Sequence, residues 1–142
     1  MSSLPFQRVM LVDDDQFLLD MYRTKFQSEG AEVVAYSNTK QALRSLQEGK
    51  VQPDVILIDM VMPEMDGVAF LQELRKLPRG SSFTAIMLTN QGQDTDQQAA
   101  RQAGAEGFLI KANLTPSEVV REVARIVSQK GRHLSRGNGG DK

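Results

Sequence analysis

The chain contains no cysteine and no tryptophan, and it has a single histidine. The lack of cysteine excludes disulfides and thiolate metal centres, and it is compatible with a reducing cytoplasm. The one histidine, His133, lies in a polar segment near the C-terminus, where it has no companion ligands for a zinc site. We therefore expect a cytoplasmic protein that depends neither on disulfides nor on zinc.

Long apolar runs and an excess of charge of one sign are also absent. The apolar stretches are short, such as Val55–Ile58, and the N-terminus lacks the basic start and apolar segment of a signal peptide. The 17 basic residues are balanced by 18 acidic ones, for a formal net charge of -1, so there is no basic field to attract a nucleic acid. We expect no membrane span and no direct binding to nucleic acid.

The length and composition fit one globular domain. The chain has 142 residues, of which 40% are apolar and 25% are charged, as in an average soluble protein. We predict an N-terminal extension over residues 1–7, a folded domain over residues 8–128 and a flexible tail over residues 129–142, because the last segment shows no apolar periodicity.

Short apolar runs alternate with segments of helical periodicity along the chain. The predicted strands are Val9–Val12, Val33–Tyr36, Val55–Ile58, Ala85–Leu88 and Phe108–Ile110. Helical spacing marks residues 18–26, 42–46, 70–77, 95–103 and 119–127. This alternation predicts parallel strands joined by right-handed crossovers, and thus a doubly wound α/β fold with five helices in a three-layer α/β/α sandwich.

Local signals place several helix ends. The segment Thr115–Glu118 has the pattern of a capping box, with a hydroxyl at the cap and a glutamate three residues later. Three glycines stand where a helix should end in a left-handed residue: Gly30, Gly49 and Gly104.

Polar residues follow four of the predicted strands, and the carboxyl ends of parallel strands share one edge of the sheet. These residues are Asp13, Asp14 and Asp15 after the first strand, Asp59 after the third, Thr89 after the fourth and Lys111 after the fifth. Carboxylates that cluster at such an edge repel one another, and a hard cation such as Mg2+ relieves that repulsion. Acids, an ammonium and a hydroxyl around a cation suit phosphoryl transfer, with an aspartate as nucleophile.

Each of these residues has a simpler interpretation when taken alone. An acidic triplet after a strand often caps the next helix, a threonine favours strands, and a lysine after a strand is usually a solvated charge. Asp59 is harder to explain in this way, because it follows directly after a buried apolar strand. Burying a carboxylate that has no partner is energetically unfavourable. The joint placement therefore favours the phosphoryl-transfer interpretation.

From about Arg8 to about Ser128 the sequence resembles the receiver domains of two-component response regulators. Four segments match the family's motifs in its order: Leu-Val-Asp-Asp-Asp, Asp-Val-Ile-Leu-Ile-Asp-Met-Val-Met-Pro-Glu-Met-Asp-Gly, Ile-Met-Leu-Thr and Gly-Ala-Glu-Gly-Phe-Leu-Ile-Lys. The resemblance implies a flavodoxin-like sheet with the strand order 2-1-3-4-5, as in the chemotaxis regulators.

The resemblance also implies a role for each matched residue. Asp59 is the implied phosphoacceptor, assisted by Thr89 and Lys111. Mg2+ is the implied cofactor, with Asp14 in direct contact and Asp13 acting through water. The full set of implied ligands is Asp13, Asp14, Asp59 and the backbone carbonyl of Val61. Thr89 and Phe108 are the implied switch residues, although Phe108 also suits a static core aromatic.

A phosphorylation switch implies two kinds of partner, a phosphoryl donor and a downstream effector. The phosphoryl donor would be a histidine kinase, a phosphotransfer protein or acetyl phosphate, and a downstream effector would meet the face formed by residues 94–128. A homodimer is also compatible with this interpretation. We expect no turnover of a separate substrate, so the protein is not an enzyme in that sense.

The match departs from the family at two positions. Ala112 follows Lys111 where the family commonly has a proline in a cis peptide, so we expect a trans bond here, or a strained cis one. Asn90 follows Thr89 where the family usually has a small residue.

Two other functions stay open at this point. One is a pseudo-receiver that binds a partner without being phosphorylated. The other is a phosphatase of the haloacid-dehalogenase type, with its nucleophile in the triplet Asp13–Asp15. That family also needs a late acidic pair, whereas only Glu118 and Glu122 follow Lys111 before Asp141.

Overall fold

The computed structural model of the chain describes residues 4–90 and 92–140, with side chains as far as residue 131. The strands are β1 (Arg8–Val12), β2 (Glu32–Tyr36), β3 (Val55–Ile58), β4 (Thr84–Thr89) and β5 (Gly107–Ile110). The helices are α1 (Gln16–Ser28), α2 (Thr39–Gln47), α3 (Gly67–Arg75), α4 (Asp94–Gln102) and α5 (Pro116–Gly140). All five strands are parallel and lie in the order β2-β1-β3-β4-β5, which confirms the predicted sheet.

Alternate side chains of each strand enter two separate cores, one on each face of the sheet. On one face, Val9 and Leu11 pack with apolar residues of α1 and α5. On the other face, Met10 and Val12 pack with apolar residues of α2, α3 and α4. All residues of β3 and β4 are buried, as expected for central strands covered on both sides. This arrangement is the predicted three-layer sandwich.

The register of the sheet brings three strand ends together. Val12 pairs with Ile58, so Asp13 and Asp59, which follow them, lie side by side. Ile58 pairs with Met87, two residues before Thr89 at the end of β4. The Asp59 amide continues the ladder by donating to the Val12 carbonyl, 2.9 Å away. Asp13 and Asp59, which follow β1 and β3, and Thr89, the last residue of β4, therefore share one edge, as predicted.

Several predicted helix ends are confirmed. Asp15 caps α1 and accepts a hydrogen bond from the Leu18 amide at 3.2 Å. Gly30, Gly49 and Gly104 all have positive φ, at 103°, 71° and 103°. Such left-handed residues end helices at little cost when they are glycines.

The capping box of α5 is also present. The Glu118 amide donates to the Thr115 hydroxyl at 3.2 Å, and the Thr115 amide donates to the Glu118 carboxylate at 2.8 Å. Replacing Thr115 with alanine should lower the free energy of unfolding by about 1 kcal/mol, because the Glu118 amide loses its acceptor. Urea unfolding of the wild type and Thr115→Ala checks this. An unchanged midpoint would contradict the prediction.

The structure adds detail at both ends of the predicted domain, whose limits stay a prediction. The segment before β1 belongs to the fold as far as it is described: Phe6 is buried, and its ring centroid lies 6.1 Å from that of Phe26. At the other end, α5 does not stop near residue 128 but runs to Gly140. Just beyond residue 128, the Lys130 ammonium donates to the Phe83 carbonyl at 2.9 Å and pairs with Glu106 at 2.8 Å.

Parts of the predicted extension and tail, residues 1–3 and 141–142, lie outside the described residues, as does the side chain of His133. The Lys111–Ala112 peptide bond is trans, and Lys111–Asn113 forms a short 3-10 turn. Among the described residues, no helix is both long enough and apolar enough to cross a bilayer.

Candidate functional site

Three carboxylates meet at the carboxyl edge of the sheet. Asp13, Asp14 and Asp59 each offer an oxygen within 4.8 Å of the other two. Asp13 and Asp59 are buried, whereas Asp14 is exposed and open to solvent. Clustered carboxylate oxygens with no sulfur or imidazole ligand are the donor set that a hard divalent cation prefers. The residues present therefore fit a metal site of the Mg2+ type.

Lys111 reaches into this cluster from the end of β5. Its ammonium donates to Asp13 Oδ2 and to Asp59 Oδ2, the second at 3.0 Å, and its side chain is only 7% exposed. Burial alone would lower the pKa of Lys111, but the hydrogen bond to Asp13, followed by that to Asp59, raises the pKa above its usual value. The lysine is therefore held as a cation between two carboxylates.

The charge on Asp13 is costly even with this partner. Burial raises the pKa of the Asp13 carboxyl, while the hydrogen bond from Lys111 and that from the Asp15 amide, at 2.9 Å, oppose the rise. The net effect is a pKa above the usual value. Further positive charge at this edge would stabilise the ionised form.

The two oxygens of Asp59 have different partners. Oδ1 accepts from the hydroxyl of fully buried Thr89 at 2.9 Å and from the Val61 amide at 3.2 Å. Oδ2 accepts from Lys111. A hydroxyl, a backbone amide and an ammonium thus surround one carboxylate at the end of β3, which is an arrangement that can stabilise charge on a transferred group.

Thr89 is already bonded to Asp59 in this structure. The hydroxyl of this implied switch residue points inward, toward Asp59, and its role as a switch stays a prediction.

Close backbone packing explains the glycine at the start of α3. A Cβ on Gly67 would lie 2.8 Å from the Cα of Met60 and closer still to the carbonyl oxygen of Asp59. The Gly67 amide donates to the Met60 carbonyl at 2.9 Å, and Asp66 caps the helix by accepting from the Ala69 amide at 2.9 Å. The absence of a side chain at this position lets α3 pack against the backbone of Asp59.

Phe108 lies on β5, three residues before Lys111. Its ring is half-buried and packs at the edge of the core beneath α3 and α4. A hollow of about 60 Å³ beside it is lined by Gln97, Ala100, Arg101, Ala105, Glu106, Gly107 and Phe108.

Asn90, the unusual neighbour of Thr89, is exposed, and Gln91 lies outside the described residues.

Sequence reasoning missed Tyr22 as a neighbour of this site. Its buried side chain on α1 lines a small internal cavity of about 10 Å³ with Asp13 and Asp59. Burial raises the pKa of the Tyr22 phenol, Lys111 opposes that rise, and Asp13 adds to it. The helical period marked Tyr22 only as core, because periodicity gives the face of a helix and not its height along the sheet.

Comparisons with known proteins identify the family. The model of the response regulator receiver domain matches residues 9–124, and the chain belongs to this family. It is 36% identical over 123 residues to an uncharacterised 14.6 kDa protein in the sodA1 3′ region of Leptolyngbya boryana, covering 87% of this chain and 92% of that protein. It is 28% identical to the chemotaxis response regulator CheY4 of Vibrio cholerae, with a TM-score of 0.78 over 85% of this chain and 98% of CheY4.

Longer regulators match over one part only. The regulatory protein VanRc of Enterococcus gallinarum is 29% identical over 127 residues, which cover 89% of this chain but 51% of VanRc. The chain spans about half the length of this relative. The family assignment therefore describes a signalling domain of two-component systems and not a classical enzyme that turns over a substrate.

Proposed function

We propose that this receiver domain accepts a phosphoryl group on Asp59 in a Mg2+-dependent reaction. The observation that carries the proposal is the set of partners of Asp59: Thr89 and the Val61 amide at one oxygen, Lys111 at the other, and two further carboxylates within 4.8 Å. No simpler role, such as helix capping, needs all of these groups together.

In the proposed reaction an ionised Asp59 oxygen attacks the phosphorus of the donor. A new O–P bond forms while the P–N bond of a phosphohistidine, or the P–O bond of acetyl phosphate, breaks, and the leaving group keeps the bonding electron pair. Lys111 and the Thr89 hydroxyl bind the oxygens of the transferred group and stabilise its charge.

Asp13, Asp14, Asp59 and the Val61 carbonyl would hold the metal ion. Bound Mg2+ supplies positive charge that neutralises the carboxylates and the phosphoryl oxygens. Burial raises the pKa of Asp13, so a bound cation would favour the ionised form of this carboxyl.

The test is phosphorylation of the 142-residue chain by acetyl phosphate, followed by intact-mass measurement. With Mg2+ the wild type should gain the mass of one phosphoryl group, and with EDTA it should gain none. Absence of any gain, together with no Mg2+-dependent binding of beryllofluoride, would instead support the pseudo-receiver.

A histidine kinase or phosphotransfer protein is the proposed physiological donor, in the cytoplasm. An effector, or a second copy of the chain, would read the phosphorylated state at the face of α4, β5 and α5. The polar surface of α4, where Ala100 alone is buried, leaves this face available to a partner.

Two of the exposed apolar side chains lie close along the chain to the carboxylates. Phe17 is 75% exposed in the first turn of α1, and Val61 is 58% exposed after β3. A protein donor can cover both, but acetyl phosphate is too small to need them. Replacing Phe17 with alanine should therefore lower kcat/KM for transfer from a phosphorylated histidine kinase about tenfold and leave the acetyl phosphate rate unchanged.

Stopped-time phosphotransfer assays check this prediction. Val34→Ala is the matched control, because Val34 is 36% exposed on β2, away from the site, and should transfer at the wild-type rate. Equal slowing with both donors would contradict a docking role for Phe17.

A further inference from the structure

Thr39, at the start of α2, is a buried polar residue that none of the matched motifs includes. It is 1% exposed, and its hydroxyl donates to the Met65 carbonyl at 2.9 Å. The helix does not need this hydroxyl as a cap, because Asn38 already accepts from the Gln41 amide at 3.0 Å. Burying a hydroxyl is unfavourable unless it makes a hydrogen bond. The hydrogen bond to Met65 is therefore what threonine provides at this position and valine would not.

The partner of Thr39 belongs to a turn with an unusual backbone. Glu64 has a φ of 69°, a left-handed conformation that glutamate seldom adopts. The Met65 amide donates to the Pro63 carbonyl at 2.8 Å and closes the turn. From α2, the exposed Lys40 ammonium approaches Glu64 at 3.8 Å, while Thr39 makes the buried contact. The first turn of α2 thus contacts the part of the loop that has the least favourable backbone conformation.

The same loop carries the backbone that borders Asp59. Its first half is tied to the site by the Val61 amide, which donates to Asp59 Oδ1, and its end is tied by the Gly67 amide, which donates to the Met60 carbonyl. Between these points, the Thr39 hydroxyl gives the loop a buried hydrogen bond to another element of the fold. Loss of that bond would free the turn next to Val61.

We propose that Thr39 is a positioning residue for the metal and phosphoryl site. Its hydrogen bond to Met65 holds the turn so that the backbone of Val61 stays beside Asp59. The inference rests on the proposed function, because it assigns to Thr39 an effect on Mg2+ binding. Partners that orient the groups around a metal typically change its affinity by one or two orders of magnitude when they are removed.

The experiment is titration of the full chain with Mg2+ alone, followed by calorimetry or by NMR shifts, for the wild type, Thr39→Val and Thr39→Ser. Thr39→Val keeps the shape of the side chain and loses the hydrogen bond, so the Kd for Mg2+ should rise about tenfold. Thr39→Ser keeps the hydroxyl and should stay within about twofold of the wild type. If Thr39→Val does not fold, Thr39→Ala carries the same test.

Thr84→Val is the matched control, because Thr84 is also a buried threonine but lies at the start of β4, the opposite end of the sheet. A merely structural role for Thr39 predicts that both valine variants unfold more easily while the Kd of the folded protein is unchanged, and that result would overturn the inference. A wild type that fails to bind Mg2+ would overturn the proposed function and the inference together, whereas binding that is equal in the wild type and Thr39→Val would overturn the inference alone.

Discussion

Asp59→Asn should gain no phosphoryl mass from acetyl phosphate and Mg2+ under conditions that phosphorylate the wild type completely. The amide has nearly the shape of the carboxylate, but it has no anionic oxygen to attack phosphorus. The expected loss of rate is at least about a hundredfold, which is a barrier increase of about 3 kcal/mol. Intact-mass measurement over a time course checks it.

The matched control is Asp20→Asn, an exposed position on α1 that contacts Gln16 and not the acidic cluster. This variant should be phosphorylated at the wild-type rate. A mass gain on Asp59→Asn would assign the phosphoacceptor to another residue and would remove the basis of the proposed reaction.

Asp59→Asn should also remain folded, which separates a chemical effect from a structural one. The substitution removes one of two like charges that share Lys111, and Asp13 keeps its contact with that ammonium. The Thr89 hydroxyl and the Val61 amide can still donate to the amide oxygen of the new side chain. We therefore expect a melting temperature close to that of the wild type.

The sequence predicts which residues meet at this site, because the carboxyl ends of parallel strands lie at the same edge of the sheet. Once β1, β3, β4 and β5 are recognised as parallel strands, the residues after them must share one edge. Asp13, Asp59 and Lys111 meet there although Lys111 is 98 residues from Asp13 and 52 from Asp59. The capping box was also sufficient to predict the start of α5, because it depends only on neighbours in the chain.

What the sequence could not predict depends on contacts between loops. The requirement for glycine at position 67 comes from the carbonyl of Asp59, and the use of the Thr39 hydroxyl comes from the carbonyl of Met65. The position of neither carbonyl can be predicted from the pattern of apolar residues along the sequence. The same is true of Lys130 on α5, which is held by Glu106 and by the Phe83 carbonyl rather than by an apolar stripe.

Lys111→Met should make the stability of the protein depend on Mg2+. In EDTA the variant leaves Asp13 and Asp59 buried, at 9% and 10% side-chain exposure, without their shared ammonium. Breaking a buried ion pair by removing one partner costs about 3 kcal/mol or more. Because a divalent cation replaces the missing charge, saturating Mg2+ should restore most of this loss in the variant and stabilise the wild type less.

Urea unfolding with EDTA and with Mg2+ checks this prediction. Lys76→Met is the matched control, since Lys76 is 71% exposed and pairs with Glu73 on the surface. Its free energy of unfolding should change by less than about 0.5 kcal/mol in either buffer. An equal loss for Lys111→Met with and without Mg2+ would mean that the lysine acts through packing and not through its charge.

The loss in Lys111→Met should also depend on pH. Burial raises the pKa of Asp13 in the wild type, and the Lys111 hydrogen bond opposes that rise, so the pKa of Asp13 should be higher still in the variant. A carboxyl whose pKa is higher in the folded than in the unfolded state stabilises the fold below the unfolded value and loses that contribution as the pH rises through the folded value. In EDTA, the loss in free energy of unfolding of Lys111→Met should therefore be largest near neutral pH. The loss should shrink in acid, where one proton takes the place of the ammonium between the two carboxylates.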